Sequence, residues 1–278
     1  MNVGSSVRQS RRNESGVALI AVLWALTLLA TMAASLSTET RSEARIARNI
    51  ADSAAARAAA DAGVQRAILD LLDSQGGALT GAVRFRSNGT VYAWPFGNST
   101  VYISVQDELG KLNLNQAPEA LLWSLFETVG VDPDKAEALA GAIADFRDKD
   151  NLQRARGAEE AEYRAAGLAW GPRNAPFQTV EEIQRVLGMT PEIYERVAPY
   201  LTIHSLGNTV NPTVADEVLI NSLRRVGFSY FVQSSGPAFL IRAEARHASG
   251  AVFVREAIVQ LILESLHPIR VLGWRRAR

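Results

Sequence analysis

The sequence has no cysteine, which excludes disulfide bonds, thiol nucleophiles and thiolate metal sites. It has three histidines, His204, His247 and His267, so a histidine-rich metal centre is not expected. The 29 basic and 29 acidic residues cancel to a formal net charge of zero, which argues against a protein that binds nucleic acid mainly through phosphate attraction. A domain without cysteine must be stabilised by packing or by bound ions.

Signatures of catalysis are missing as well. Ser234 and Ser235 precede a glycine, but the Gly-x-Ser-x-Gly frame of a nucleophile elbow is absent around them. The phosphate-binding pattern GxxxxGK[ST] has no match anywhere in the chain. Acidic residues occur in pairs, but no other feature indicates a catalytic cleft. We therefore expect that the protein is not an enzyme.

No proline precedes Pro95, and this proline-free stretch contains a long uncharged apolar run, Val17–Leu36. The run has about the 20 residues that a bilayer-spanning helix needs, whereas the apolar core of an ordinary signal peptide has about 7–15. Basic residues outnumber acidic ones before the run. The positive-inside rule therefore predicts a cytoplasmic N-terminus, with the remainder of the chain across the membrane.

Helical periodicity continues beyond the apolar run. Ile46, Ile50 and Ile68 recur near helical spacing, while arginines and acids occupy the other face. The first strong breaker is a glycine pair at 76–77, so the sequence predicts a helix from Val17 to about Gln75. The periodicity alone leaves two interpretations equally open. One is a plain membrane anchor with a helical stalk, and the other is a helix that also packs against other apolar helices.

Strand-like runs follow the stalk and return near the C-terminus. The first group is AVRFRS, TVYAWPF and STVYISVQDE, with a tight turn expected at Asn88-Gly89, and the second is AFLIRAEAR and AVFVREAIVQLILE. In the second group Phe239, Ile241 and Ala243 alternate with charged residues, which is typical of a half-buried strand. The two groups are predicted to form one antiparallel sheet against the stalk helix. The region between them reads helical, so the expected fold is α+β with an inserted helical domain.

The helical region contains two weakly similar segments. NLNQAPEALLWSL at 113–125 and VNPTVADEVLINSL at 210–223 each place asparagine before a proline-containing turn and an apolar helix. Asn115 and Asn211 are therefore predicted to cap or orient the helix starts.

Two segments of the helical region resemble helix-hairpin-helix units, at 129–143 and 177–197. DNA-binding versions hold a phosphate on the backbone N–H groups of a Gly-x-Gly hairpin. The first hairpin carries Asp132 and Asp134, which would repel phosphate. The second lacks the second glycine and contains Pro191, which has no N–H. Both are interpreted as packing units, and no nucleic-acid partner is expected.

The segment DFRDKDNLQRARGAEEAEY, residues 145–163, concentrates acidic side chains in a short loop region. Calcium takes six to eight hard oxygen ligands, often carboxylates and backbone carbonyls. The spacing is not that of an EF-hand, because Leu152 stands where the third ligand would fall. Arginine and lysine balance the acids, so composition alone favours a solvated polar loop.

The residues at the start of the apolar run carry a family resemblance. ESG followed by VALIAVLWALTLLA resembles a type IV prepilin signal, with Ala21 where most pilins have glutamate. That departure is similar to one class, the K-type minor pseudopilin of type II secretion (general secretion pathway protein K). DELGKLNLNQAPEALL, GAEEAEY, RNAPFQTVEEIQRVLGMTPEIYERVAPYLTIHS and the C-terminal IRVLGWRR resemble further parts of that family, so the resemblance covers nearly the whole chain.

The resemblance implies proteolytic processing and a location in the cell. Prepilin peptidase would cut between Gly16 and Val17, and the new N-terminus would be open to methylation. The protein would cross the bacterial inner membrane once, with its C-terminal domain in the periplasm. The implied organisation is a leader at 1–16, a transmembrane and stalk helix at 17–75, a pseudopilin α/β domain at 76–111 and 234–278, and an inserted helical domain at 112–233 containing helix-hairpin-helix or SAM-like units.

The resemblance also implies a ligand and a role. K-type pseudopilins bind calcium in the acidic loop, which implies structural calcium here with ligands from Asp148, Asp150, Glu159, Glu160 and Glu162. Glu160 stands where the family has aspartate. The implied role is to cap the pseudopilus tip and help start its assembly with I- and J-type minor pseudopilins, in contact with secreted substrates. The alternative is a membrane-anchored periplasmic binding module that uses the helical insertion for a secreted substrate or nucleic acid.

Overall fold

The structure is a computed structural model that describes residues 14–76, 84–205, 210–227, 237–262 and 268–277. Within the first range, the side chains at 14–17, 34, 36–41 and 74–76 are also outside the description. The chain divides into two units, Met1–Ala54 and Ala55–Arg278. In chain order the helices and strands are α1 (Glu14–Gly76), β1 (Asn88–Phe96), β2 (Ser99–Asp107), β3 (Leu112–Asn113), α2 (Glu119–Thr128), α3 (Pro133–Arg147), α4 (Glu160–Ala165), α5 (Pro191–Val197), β4 (Leu201–Thr202), α6 (Glu217–Arg225), β5 (Ala238–His247), β6 (Val252–Leu261) and β7 (Ile269–Arg276).

Helix α1 confirms the predicted continuous helix, since it begins at Glu14 and ends at Gly76. Alanine dominates positions 54–60 and no proline interrupts the segment, and both features favour an α-helix. In the first unit its described side chains are exposed, apart from Asp52, which is half-buried. In the second unit it buries a face of small and aliphatic residues.

The second unit contains a five-stranded antiparallel sheet in the order β1-β2-β5-β6-β7. Strands β2 and β5 are neighbours although they are far apart in sequence, with Asp107 opposite Phe239. As predicted for β5, Phe239, Ile241, Ala243 and Ala245 are buried. The alternation places one face of the sheet on the core and leaves charged residues on the other.

The core of the sheet is closed by the second half of α1. Val64 and Ile68 of the helix share a buried cluster with Val101 and Ile103 of β2. Helix and strand approach so closely that a Cβ at Gly63 would lie 2.7 Å from Val101 Cγ1. Glycine and alanine on this helix face therefore permit the contact.

An ion pair joins α1 to strand β6 of the sheet. Arg255 of β6 is 5% exposed and its Nε lies 2.6 Å from Asp61 Oδ1. Its guanidinium also lies 5.0 Å from the ring centre of Phe253 and 5.3 Å from that of Trp274. The charge is thus enclosed by one carboxylate and two aromatic faces.

Residues between β2 and β5 form a second buried cluster, built on α2, α3, α5 and α6. Gly130 turns the chain between α2 and α3 with φ +83°, in the left-handed region. Asp132 then caps α3, because its Oδ1 accepts hydrogen bonds from the N–H groups of Asp134 and Lys135 at 3.1 and 3.2 Å. Arg196 Nη1 donates to the carbonyl oxygen of Gly130 at 3.2 Å, which ties this hairpin to α5.

The two clusters meet at the 3-10 helix Glu108–Gly110, directly after β2. Gln106 Nε2 donates to Val214 O at 2.9 Å. A Cβ at Gly110 would lie 2.5 Å from the same carbonyl oxygen, so only glycine fits. A second link is the ion pair between Arg275 of β7 and Glu181, with Nη1 and Oε1 2.6 Å apart.

Three local features differ from the prediction. Residues 84–87 of the expected first strand AVRFRS are not in a strand, and β1 instead includes Asn88 and Gly89, with an irregular register between Asn88 and Val91. The first segment of the second hairpin unit is the 3-10 helix Val180–Arg185. The helical region also contains a parallel pair, β3 with β4, that the periodicity did not predict.

Candidate functional site

Three acidic side chains converge where α3 leads into the loop before α4. Asp145, in the last turn of α3, is 0% exposed, and Asp148 follows directly after the helix. Glu159, immediately before α4, is 5% exposed. The loop closes on α3 through glycine, since a Cβ at Gly141 would lie 3.1 Å from Gly157 Cα. Asp145 and Glu159 are therefore buried and Asp148 is partly buried, rather than left in solvent.

Arg154 bridges two of these carboxylates. Its Nη1 donates to Asp145 Oδ1 at 2.9 Å and also to Asp148 Oδ2. Its main-chain N–H donates to Asp145 Oδ2 at 3.2 Å. The hydrogen bonds to Asp148 and then Asp145 raise the pKa of Arg154, so its charge is fixed.

Glu159 is the buried acid that Arg154 does not satisfy. Within the described ranges, neither of its carboxylate oxygens has a hydrogen-bond partner of ordinary geometry, and the nearest donor is the N–H of Glu162, which faces the Glu159 side chain in a capping box. Burial raises the pKa of Glu159, and Asp145 and Asp148 raise it further because like charges disfavour ionisation. A buried carboxylate with no donor is costly, and a cation would relieve that cost.

Three more buried oxygens lack partners in the part of the chain that the structure describes, Asp148 Oδ1, Asn174 Oδ1 and, outside the acidic loop, Ser205 Oγ. Asn174 has a left-handed φ of +53°. Its N–H donates to Phe146 O at 3.0 Å and its Nδ2 donates to Asn151 Oδ1 at 2.7 Å, so it lies against the same loop. Sequence reasoning missed Asn174, which carries no local signal, and it left Asp145 out of the predicted ligands.

The other predicted ligands have different partners. Asp150 Oδ1 accepts from the N–H of Leu152 at 2.9 Å in a local turn. Glu160 is exposed and forms an ion pair with Arg164. Glu162 Oε2 accepts from the N–H of Glu159 at 2.9 Å and so closes the start of α4. Of the five predicted ligands, the structure thus brings Asp148 and Glu159 into the buried cluster.

The fit to a metal ion rests on the unpaired buried oxygens, which are the hard ligands that calcium takes. Over the described residues, no group of three or more His, Cys, Asp or Glu is arranged so that it could hold a metal ion. The Arg154 guanidinium stands between Asp145 and Asp148. The unpaired oxygens are of the kind that calcium takes, but the carboxylates are not arranged as a metal site while Arg154 lies between them, so cation binding would require Arg154 to move.

The predicted processing site lies at the start of α1. Gly16 and Val17 are within the helix, but their side chains, like residues 1–13 of the leader, lie outside the described residues. So does the side chain of Leu36, at the far end of the predicted span. No helix in the described part is long and apolar enough to cross a membrane. Large apolar side chains in the first unit are exposed, namely Leu19, Ile20, Val22, Leu23, Trp24, Leu26, Leu28, Leu29, Met32, Ile46 and Ile50.

Neither predicted asparagine cap is at a helix start. Asn115 Oδ1 accepts from the N–H of Phe177 at 2.7 Å and its Nδ2 donates to Phe177 O at 3.0 Å, so it clamps a distant backbone segment. Asn211 Oδ1 accepts from the N–H of Thr213 at 2.9 Å in a turn, and α6 is capped by Asp216 instead. Both cap predictions are corrected.

Residues 105–205 match the protein family described as "Type II secretion system (T2SS), protein K". This segment includes α2, α3, the acidic loop, α4 and α5. This part of the chain is therefore similar to protein K of the type II secretion system. The resemblance noted in the sequence is confirmed.

Curated relatives carry the same name. Type II secretion system protein K of Klebsiella pneumoniae is 28% identical over 131 residues, 40% of this chain and 40% of the relative. Protein K of Pectobacterium carotovorum subsp. carotovorum is 30% identical over 84 residues, 30% of this chain and 26% of the relative. That of Dickeya chrysanthemi is 32% identical over 79 residues, 28% and 21% respectively. The chain thus spans less than half the length of each of these relatives.

The fold also matches a solved structure. A chain from the crystal structure of the GspK-GspI-GspJ complex of the enterotoxigenic Escherichia coli type 2 secretion system aligns with a TM-score of 0.56 and 16% identity. The alignment covers 86% of this chain and 99% of that chain. This likeness confirms the expected combination of helices with an antiparallel sheet. The helical insertion as a separate domain stays a prediction.

Proposed function

We propose that this chain is a K-type minor pseudopilin that caps the tip of a type II secretion pseudopilus and helps to start its assembly. The observation that carries the proposal is the protein K domain at 105–205, set within a fold that matches nearly all of a chain of the GspK-GspI-GspJ complex. The partners proposed on the same ground are I- and J-type minor pseudopilins. The testing experiment is co-purification of the full-length chain with those two partners, which should yield a ternary complex.

The tip position is supported by Ala21, which provides no carboxylate for the ammonium of a subunit stacked above. An unpaired buried ammonium would cost several kcal/mol, which would oppose growth above this subunit. Ala21→Glu tests this electrostatic part. Labelled wild-type protein should be found at one end of isolated filaments, and an even distribution of this protein along the filaments would rule the tip role out.

The bulky helical region would oppose stacking sterically. The structure allows a clean deletion, because Asp107 at the end of β2 is paired with Phe239 of β5. Replacing residues 112–233 by a short glycine-rich linker removes the second buried cluster while leaving the sheet strands paired. The variant should let filaments overgrow or fail to start, whereas normal filament number and length would exclude a steric contribution.

Membrane anchoring and processing are part of the proposal. They are supported by the uncharged run Val17–Leu36 and by the exposed apolar side chains in the first unit of α1. Prepilin peptidase would cut after Gly16, leave α1 in the inner membrane and place the second unit in the periplasm. Mass spectrometry of the mature protein should find Val17 at the N-terminus, with or without a methyl group. Gly16→Leu should leave uncut precursor while Gly16→Ala should still be cut, and a start beyond Leu36 would contradict the proposal.

Calcium binding in the acidic loop is the fourth part. Asp145, Asp148, Glu159 and Asn174 are the residues that would hold the ion, because they bring buried oxygens to one loop. The ion would supply the positive charge that this cluster of carboxylates lacks. It would stabilise only the folded state, by RT ln(1 + [L]/Kd), or ~2.7 kcal/mol at a hundredfold excess over Kd.

The test is a thermal melt of the full-length protein in calcium and in chelator. Calcium should raise the melting temperature, and Asp148→Ala combined with Glu159→Gln should remove most of the difference. Glu160→Ala is the matched control, since within the described residues that exposed side chain pairs with Arg164 and lies outside the buried cluster. Equal melting curves in calcium and chelator would leave the loop as a structural ion-pair network.

A further inference from the structure

Arg154 is placed as a cation within the acidic cluster. Its guanidinium contacts Asp145 Oδ1 at 2.9 Å and Asp148 Oδ2, and these are two of the carboxylates that would otherwise face a metal ion. Asp145 is 0% exposed, whereas the Arg154 side chain is 41% exposed. The carboxylate is thus fixed in the core, and the arginine reaches it from the surface.

The geometry leaves Arg154 free to exchange partners. Its stem comes from the loop rather than from a helix, and its Nε already lies 3.9 Å from Glu119 Oε2 on α2. Glu119 is itself 41% exposed, so this second carboxylate is open to a moving side chain. A small shift would move the guanidinium from the carboxylates of Asp145 and Asp148 to the exposed carboxylate of Glu119.

The bridge does not complete the site. Glu159 remains buried with both oxygens unpaired, and so does Asp148 Oδ1, as far as the described residues show. The Arg154 guanidinium thus pairs with two of the three carboxylates, while the nearby Arg147 guanidinium, which also attracts Asp148, donates to main-chain oxygens. A divalent ion carries twice that charge and takes more ligands than the planar guanidinium contacts here.

We propose that Arg154 is a displaceable internal cation that competes with calcium for Asp145 and Asp148 and so sets the calcium affinity of the loop. The inference rests on the calcium proposal above and extends it from ligands to regulation. At low calcium, Arg154 holds the loop against α3 by neutralising the two aspartates. At higher calcium, the ion takes these carboxylates, and Arg154 moves to Glu119.

The test compares three variants of the full-length protein by calorimetric titration with calcium chloride and by thermal melts in chelator. Arg154→Gln removes the competing charge, so calcium Kd should fall about tenfold, given the Coulomb energy of one charge near a partly exposed site. The same variant should melt at a lower temperature in chelator because the aspartates lose their partner. Arg154→Lys keeps the charge, so its Kd should stay close to that of the wild type.

Arg156→Gln is the matched control, because Arg156 lies two positions along the same loop but pairs with Asp134 and Glu137, outside the cluster. Its Kd should stay within about twofold of the wild type, since exposed ion pairs contribute little. If the wild type binds calcium and Arg154→Gln binds equally or more weakly, the competition is wrong while the calcium site stands. If neither protein binds calcium, the calcium proposal itself fails and this inference falls with it.

Discussion

Replacing Glu159 by glutamine should change stability in opposite directions with and without calcium. In chelator the wild-type carboxylate is buried, lies near Asp145 and Asp148, and has no hydrogen bond of ordinary geometry among the described residues, the nearest donor being the capping-box N–H of Glu162. Leaving a buried polar group unsatisfied costs about 1–3 kcal/mol. Glutamine removes the charge and adds an N–H donor, so the unfolding free energy should rise by about 1 kcal/mol.

With calcium at a hundredfold excess over Kd, the wild type would gain ~2.7 kcal/mol, which the variant would not. The variant would then be roughly 1.7 kcal/mol less stable than the wild type, by the same estimates. For a protein of this size, 1 kcal/mol corresponds to about 2–4 °C in Tm, so both differences are measurable by calorimetry or circular dichroism.

The pH dependence in chelator gives a separate check. Burial, then the neighbouring carboxylates, raise the pKa of Glu159 above its ordinary value of 4.5. A raised carboxyl pKa means that the folded state binds the proton more tightly, so stability is lost as the pH rises through 4.5 towards the folded-state pKa. The advantage of Glu159→Gln should therefore be small below this window and grow across it.

The control is Glu160→Gln, which alters the adjacent but exposed side chain and should shift stability by less than about 0.5 kcal/mol in either condition. A Glu159→Gln protein that is less stable than the wild type in chelator would refute the reasoning. That result would mean that the carboxylate is satisfied in solution and carries no burial cost.

Three other substitutions test the packing. Asp61→Asn leaves the buried Arg255 guanidinium without its carboxylate and should lower the unfolding free energy by about 2 kcal/mol in denaturant titrations. Gly110→Ala places a Cβ 2.5 Å from a main-chain carbonyl and should cost a similar ~2 kcal/mol through forced movement where the two clusters meet. Tyr163→Phe removes the hydroxyl oxygen that accepts from the Leu187 N–H at 3.0 Å, so the cost should be about 1–2 kcal/mol, with faster hydrogen exchange at that amide.

The long helix and the central strand β5 were predictable because their signals are local, whereas the C-terminal strand was implied by the family resemblance. Helix α1 has an uninterrupted helical period and no proline, and β5 alternates buried apolar residues with charged ones. The predicted C-terminal strand and β7 share the same bounds, Ile269–Arg276. Each of these patterns extends over eight or more residues, long enough for period two and period 3.6 to be distinguished.

The parallel pair β3 and β4 was not predictable for the opposite reason. Leu112 pairs with Leu201 across a long stretch of sequence, and each strand has two residues. Two residues are too few to show a periodicity. The packing of the helices between β3 and β4 in the sequence determines that these two strands pair. The same holds for Asn115, whose amide binds the backbone of Phe177 rather than the nearby helix start.

The two similar segments at 113–125 and 210–223 do contain equivalent turns, but the equivalent asparagines are not the two that were predicted. Asn113 Oδ1 accepts from the N–H two residues on at 2.9 Å, and Asn211 Oδ1 does the same at 2.9 Å. In both turns the main-chain carbonyl oxygen of the asparagine also accepts a hydrogen bond from the N–H four residues on, at Ala117 and Ala215. Asn113 and Asn211 are therefore equivalent, and the sequence comparison paired the second with the wrong asparagine of the first segment.

Within the acidic loop, composition identifies the acids but helix phase decides which of them point inward. Because α4 begins at Glu160, Glu159 occupies the position before the helix and is buried against Asp145, while Glu160 faces solvent beside Arg164. The replacement of the family's aspartate by Glu160 therefore does not alter the buried cluster. The cluster also depends on a basic residue that composition did not single out. Arg154 donates to Asp145 and Asp148, and so it limits which carboxylate oxygens a cation could reach.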